Sequence, residues 1–118
     1  MAPEFDAKAE DAVREWLALA DAGDAGGTWA AASSLFRRAV AKDQWALSLS
    51  AARAPLGLVV SRTLREARAA TELPGAPDGE YVVFQFDTGF EHKRKAVETV
   101  TPMKERDGTW RVSGYFIR

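Results

Sequence analysis

Arg62, Glu98 and Tyr115 are the side chains whose type and placement could do chemistry. Arg62 shares an alternation phase with Val60 and Leu64, so on a strand whose apolar phase faces a core its guanidinium points into that core or into a cavity. A buried charge needs a partner. Glu98, in phase with Ala96 and Val100 on a later strand, is the best candidate. With one strand between them the two backbones stand roughly 10 Å apart, and the long side chains would meet across Gln85 or Phe84. Such a pair reads in two ways. It is either a fixed ion pair or charges that snorkel to solvent, or an arginine that anchors a carboxylate or other anion beside a glutamate acting as acceptor or base. Tyr115 could donate a hydrogen bond in the same pocket or move a proton, or pack with its hydroxyl wet. Arg53 stands where a helix should end, a position that favours a cation for dipole reasons alone. The ligand-binding candidates are therefore Arg53, Arg62, Gln85, Glu98 and Tyr115, with Glu98 and Tyr115 the only catalytic candidates.

Other motifs are weaker. His92 lies between Glu91 and Lys93 with no second histidine or cysteine at ligand spacing, which reads as a surface loop residue and not a metal site. The run Lys93-Arg94-Lys95 alternates between two strand faces and forms no single patch. Gly75 and Gly79 belong to a turn, since no phosphate-loop lysine or following helix accompanies them. There is no cysteine, so disulfides, thiol catalysis and thiolate metal sites are excluded. No cofactor is implied.

These side chains need elements to hold them. A chain of 118 residues is one domain, able to bury a single core without staples. From Asp6 to Ala22, Ala9, Val13, Trp16, Leu17 and Ala20 recur at helical spacing, and the glycine-rich stretch from Asp21 to Gly27 stops that helix. Thr28 is read as the N-cap of a second helix that places Trp29, Ala32, Phe36, Ala39 and Val40 on one face. A third helix spans Lys42 to Arg53, ended by Pro55 and Gly57. The period then becomes two. Strands are expected over Leu58–Arg68, Glu80–Gly89, Lys93–Lys104 and Thr109–Ile117, with a loop from Leu73 to Gly79 because its two prolines cannot donate to a ladder. Trp16, Trp29 and Trp45, one per helix, would form a core with Phe84, Phe86 and Phe116, or line an apolar cavity.

Three helices followed by four strands make an α+β pattern, with the helices covering one face of an antiparallel meander. Gly89, Pro102 and Gly114 are candidate bulges that would let the sheet curl around the helices and leave a concave pocket. The turn at Asp107-Gly108 leaves two registers open. A two-residue loop pairs Arg106 with Thr109 and sets Glu98 opposite Ile117, on the face away from Trp110, Val112 and Phe116; a longer loop sets Glu98 beside Phe116 on the core side. In one register the outward residues Val83, Thr99, Thr101, Tyr115 and Ile117 supply the open sheet face.

Net charge is −1, which gives no bulk electrostatic case for nucleic acid. The total hides an asymmetry: residues 1 to 30 hold seven acids and two bases, residues 31 to 72 three acids and seven bases. Uncharged runs such as Trp45 to Ala52 are far too short to span a membrane. The opening residues Met1 to Phe5 lack the basic and apolar regions of a secretory signal, so the expected location is periplasmic or secreted if a signal has been removed and cytoplasmic otherwise.

From Trp16-Leu17-Ala18-Leu19 onward the chain resembles the bacterial domain-of-unknown-function family 4019. The resemblance is carried by Arg53-Ala54-Pro55-Leu56-Gly57 with Ser61-Arg62, by Pro74 to Tyr81, by Glu98-Thr99-Val100 and by Asp107 to Tyr115. It covers roughly Val13 to Arg118. It implies a small domain of the nuclear-transport-factor-2-like or cystatin-like shape, often behind an export signal, and it brings no activity, substrate or catalytic residue. The expectation is a non-catalytic module of the bacterial cell envelope that binds a small apolar or anionic ligand or a protein, and that forms a homodimer through the open sheet face. The alternatives are a small general acid-base enzyme, with Arg62 orienting an anionic group and Glu98 or Tyr115 moving a proton, and a purely structural or regulatory domain.

Overall fold

The computed structural model describes residues 7–118, so the expected helix start at Asp6 lies outside the described residues. Helix α1 (Ala7–Asp21) buries the stripe Ala9, Val13, Trp16, Leu17 and Ala20. It ends where Gly23 turns to a positive φ of 77°. The expected second helix is two helices, α2 (Ala25–Ala31) and α3 (Ser34–Ala39). Asp24, not Thr28, caps α2, its carboxylate accepting from the Gly27 N–H at 2.9 Å. The chain breaks between α2 and α3 because Ser33 is used twice. Its N–H donates to the Val112 carbonyl at 2.8 Å, and its hydroxyl caps α3 by accepting from the Phe36 N–H at 3.0 Å. Helix α4 (Lys42–Arg53) follows as expected, then a single 3-10 turn (Ala54–Leu56) begun around Pro55.

The sheet is a meander of β1 (Val59–Ala70), β2 (Tyr81–Phe90), β3 (Lys93–Lys104) and β4 (Trp110–Ile117), in spatial order β1-β2-β3-β4. Register shifts fall between Thr88 and Phe90 and between Thr101 and Pro102, the latter opposite Gly114, so Gly89, Pro102 and Gly114 all sit at irregularities. Further shifts occur in β1 between Val59 and Ser61 and between Leu64 and Glu66. The first of these turns Val60 out, 72% exposed, while Arg62 and Leu64 face the helices, so the expected shared face of Val60 and Arg62 is corrected.

Phe84 and Phe86 on β2, Val100 on β3 and Val112 on β4 meet the α1 stripe in one core, with Trp45, Leu64, Trp110 and Tyr115 packed against it. Truncating either phenylalanine to alanine should cost about 3–5 kcal/mol. Thr28 is buried inside α2, where its hydroxyl donates to the Ala25 carbonyl (2.6 Å) and accepts from the Trp45 indole N–H (3.0 Å). Its carbonyl accepts from the Trp16 indole at 3.0 Å. Trp29 lies outside that core, its indole donating to the Val40 carbonyl at 2.8 Å. Trp110 takes the place expected of Trp29. Phe116 faces away from the helices and is 56% exposed, a second correction to the expected core.

Candidate functional site

The β3–β4 hairpin decides where Glu98 points. Its loop is Arg106-Asp107-Gly108: the Glu105 N–H donates to the Thr109 carbonyl at 2.7 Å, and Gly108 takes a positive φ of 87°. The Asp107 carboxylate braces the loop by accepting from the Thr109 N–H at 3.0 Å and hydroxyl at 2.7 Å. A three-residue loop alone would set Glu98 opposite Phe116. The bulge between Val112 and Gly114 moves the register by one, so Glu98 pairs with Ile117 and Thr99 with Phe116. The same bulge keeps both Val112 and Tyr115 on the helix side. Glu98 therefore stands opposite Ile117 and still faces the core, and Tyr115 faces inward, not outward.

Glu98 is fully buried. Its Oε1 accepts from Arg62 Nε at 2.7 Å and from the Thr88 hydroxyl at 2.6 Å; its Oε2 accepts from Arg62 Nη2 at 3.2 Å and from the Tyr115 hydroxyl at 2.5 Å. A carboxylate offers about four lone-pair sites, so none is left for another proton donor. Arg62 reaches Glu98 across Thr88, its own cross-strand partner, and neither Gln85 nor Phe84 lies between them. Gln85 is on the opposite face, its amide 3.5 Å from the Thr99 hydroxyl, so it stands apart from the other candidates.

The other side of Arg62 is met by Asp21, the last residue of α1. Arg62 Nη1 donates to Asp21 Oδ2 at 2.8 Å and Nη2 to Oδ1 at 3.0 Å, while Arg53 Nη2 donates to Oδ1 at 2.8 Å. Arg53 Nη1 also donates to the Tyr115 hydroxyl at 3.3 Å, and its guanidinium lies 5.2 Å over the Phe90 ring. The structure thus brings Arg53, Arg62, Glu98 and Tyr115 together and adds Asp21 and Thr88. Both were missed although signals existed: Asp21 continues the buried stripe four residues after Leu17, and Thr88 continues the inward phase of Phe84 and Phe86.

Two carboxylates and two guanidiniums balance. Burial pushes the Asp21 carboxyl up, but hydrogen bonds from Arg62 and Arg53 outweigh it and hold the group below the usual carboxylate range. Burial also opposes the charges on Arg62 and Arg53, and their carboxylate partners more than reverse this, so both stay cationic. The Tyr115 phenol is pushed far up, by burial first and then by the neighbouring Glu98 charge. The network can fix geometry; its carboxylate and phenol are poorly placed to exchange protons with a guest.

Asp21 and Arg53 form part of the wall of an open cleft of about 290 Å³, whose other walls include Ala20, Leu49, Ala54 and Leu58. Among the described residues no three His, Cys, Asp or Glu side chains gather at metal-binding distance, and no helix is long and apolar enough to cross a membrane. His92 is exposed in the β2–β3 turn, where its N–H donates to the Leu56 carbonyl at 2.9 Å.

A short helical layer over one face of a bulged four-stranded meander is an α+β fold of the ketosteroid-isomerase-like, or nuclear-transport-factor-2-like, class. A putative ketosteroid isomerase from Shewanella frigidimarina NCIMB 400 has a similar structure, with a TM-score of 0.56 over 96% of each chain at 15% identity. At that identity the likeness concerns the fold alone. The chain belongs to the family described as "Protein of unknown function (DUF4019)", whose model matches residues 12–115. No curated protein matches it.

Proposed function

We propose that the domain is a non-catalytic binding module that takes a small, largely apolar molecule into the cleft between the end of α1, α4 and the start of β1. The observation that carries this reading is the saturation of Glu98, whose four acceptor positions are all taken by Arg62, Thr88 and Tyr115. A glutamate held in this way supports a wall; it does not abstract a proton. The cleft beside it is walled mainly by alanine and leucine, with Asp21, Arg53 and Ser50 as the polar groups that would orient a guest. The volume of about 290 Å³ suits a ligand at the small end of the usual range.

The site is positioned by three elements whose charged groups are joined at Asp21, Arg53 and Arg62, so a ligand seated there would bear directly on how α1 and α4 sit against the sheet. The general acid-base alternative would need Glu98 or Tyr115 to release its present partners. Placement in the bacterial envelope rests on the family resemblance, and cell fractionation tests it. The homodimer reading rests on the open sheet face, where Gln85, Thr99 and Phe116 lie in one cross-strand row and Phe116 is exposed. Light scattering at high concentration checks it, and a monomer there would sink it.

Native mass spectrometry of the protein purified without denaturation, followed by NMR titration with small apolar amides and alcohols, tests the cleft. Shifts centred on Leu49, Ser50 and Ala54, abolished by the cleft-filling Ala54→Phe, are expected. Shifts scattered over the surface, or unaffected by that substitution, would refute the assignment.

A further inference from the structure

A second depression of about 580 Å³ lies between α3 and the β3–β4 hairpin, with Arg37, Arg38, Arg106 and Arg111 on its walls beside Glu105 and Asp107. Arginines in such company normally pair with the acids next to them. Here the acids are committed elsewhere. Glu105 accepts from the Ser34 N–H at 2.8 Å and from the Ser34 hydroxyl at 3.0 Å, and Asp107 is bound to Thr109 within its own turn. Among the described residues none of the four guanidiniums donates a hydrogen bond or closes an ion pair within 4.0 Å. Arg111 acts on Asp107 only through its field, behind the hydrogen bonds from Thr109.

We propose that this depression binds a ligand carrying a diphosphate or two adjacent phosphate groups. A guanidinium presents its donors as a planar fork that engages two oxygens of a phosphate at once. The forks come as one pair from α3, Arg37 and Arg38, and one pair from the β3–β4 hairpin, Arg106 and Arg111, so two adjacent phosphates can be met by two forks each. With four bases against two acids on the walls, the local charge is positive in a chain whose net charge is −1. Arg37 and Arg38 come from the short helix that Ser33 starts, and Arg106 and Arg111 flank the turn that Asp107 braces, so the backbone holding all four is fixed before any ligand arrives. The site is separate from the cleft at Asp21 and Arg53, and the two stand or fall independently.

Calorimetry on the whole chain with inorganic pyrophosphate, with inorganic phosphate, and with vesicles containing either a diphosphatidyl lipid or phosphatidylcholine tests the site. Pyrophosphate is expected to bind at least about tenfold more tightly than phosphate and to weaken as salt is added. Uptake of pyrophosphate identifies a soluble ligand; capture by diphosphatidyl vesicles alone identifies a lipid headgroup. Arg37→Ala and Arg106→Ala should each weaken binding about fivefold or more, while Arg68→Ala, an exposed arginine on β1, should leave it unchanged. Arginine Nε–H signals of the unaltered protein provide a readout that needs no variant, since those of the four should shift on adding pyrophosphate. Binding to neither probe, an equal loss in Arg68→Ala, or a preference for a DNA oligonucleotide over both would overturn the proposal.

Discussion

Arg62 holds Glu98 at 2.7 Å across a sheet position occupied by Thr88, and the glutamate it holds has no contact with solvent. Removing a charge from such a pair leaves the other buried without compensation. Arg62→Met should therefore destabilise the domain by about 3–5 kcal/mol in urea unfolding, the range for breaking a buried ion pair. Arg62→Met combined with Glu98→Leu should recover much of that loss, because the two changes share one interaction. Additive losses would contradict the pairing.

Tyr115 predicts the alkaline limb of stability. Its phenol is raised in the folded state, and Tyr81, the only other tyrosine, is raised as well by burial and by Asp78. A group whose folded pKa is raised contributes stability that is complete below the unfolded value, about 10 for tyrosine, and is lost as pH climbs toward the folded one. Unfolding free energy should fall above about pH 10, by up to ~1.4 kcal/mol per pH unit for each phenol. Tyr115→Phe should remove part of that slope and cost about 1–3 kcal/mol at neutral pH, since Oε2 of Glu98 loses a donor. A tyrosinate absorbance step at pH 10 in the folded protein would contradict this.

Asp21 predicts the acid limb with the opposite sign. Its carboxyl is held below the ordinary value of 3.8 by Arg62 and Arg53 against the pull of burial, so its contribution is present above that value and lost as pH falls through the folded one. Stability should decline as pH falls below the ordinary carboxylate value, and Asp21→Asn should flatten that limb while lowering stability at neutral pH by about 1 kcal/mol, a figure kept small because its side chain is 31% exposed. Equilibrium unfolding across that range measures it.

Much of this arrangement was legible in the residues. Pro55 and Gly57 set the end of α4, and Lys93–Lys104 was readable as a strand because alternation is local. The pairing of Arg62 with Glu98 was suggested by a buried charge's need for a partner and by the phase Arg62 shares with Leu64, although Val60 leaves that phase at the bulge. The break at Ser33 was not legible, because the N–H that ends α2 finds its acceptor at Val112, 79 positions away. Nor was the facing of Glu98: the loop at Gly108 and the bulge near Ser113 shift the register in opposite senses, and only their sum sets it. The identity of the guest is written in no local pattern at all, because the cleft wall is drawn from three elements and consists mainly of small apolar residues.

The hairpin carries a prediction of its own. Gly108 sits at φ 87°, and a Cβ placed on it would have no neighbour within 4 Å, so Gly108→Ala meets only a backbone penalty. The cost should be about 1–2 kcal/mol, the penalty of a left-handed conformation for an L-residue. Thermal unfolding of this variant measures the turn in isolation from the core, and an unchanged transition would mean that the loop adopts another form.

A single titration addresses the central claim that the domain binds without catalysing. A small cyclic ketone in D2O, followed by NMR, reports cleft occupancy through backbone shifts and proton abstraction through loss of the ketone's α-hydrogen signal. The saturated Glu98 predicts shifts at Leu49, Ser50 and Ala54 with α-exchange no faster than in buffer alone. Exchange above that background, lost on Glu98→Gln, would contradict it and place the glutamate in a reaction.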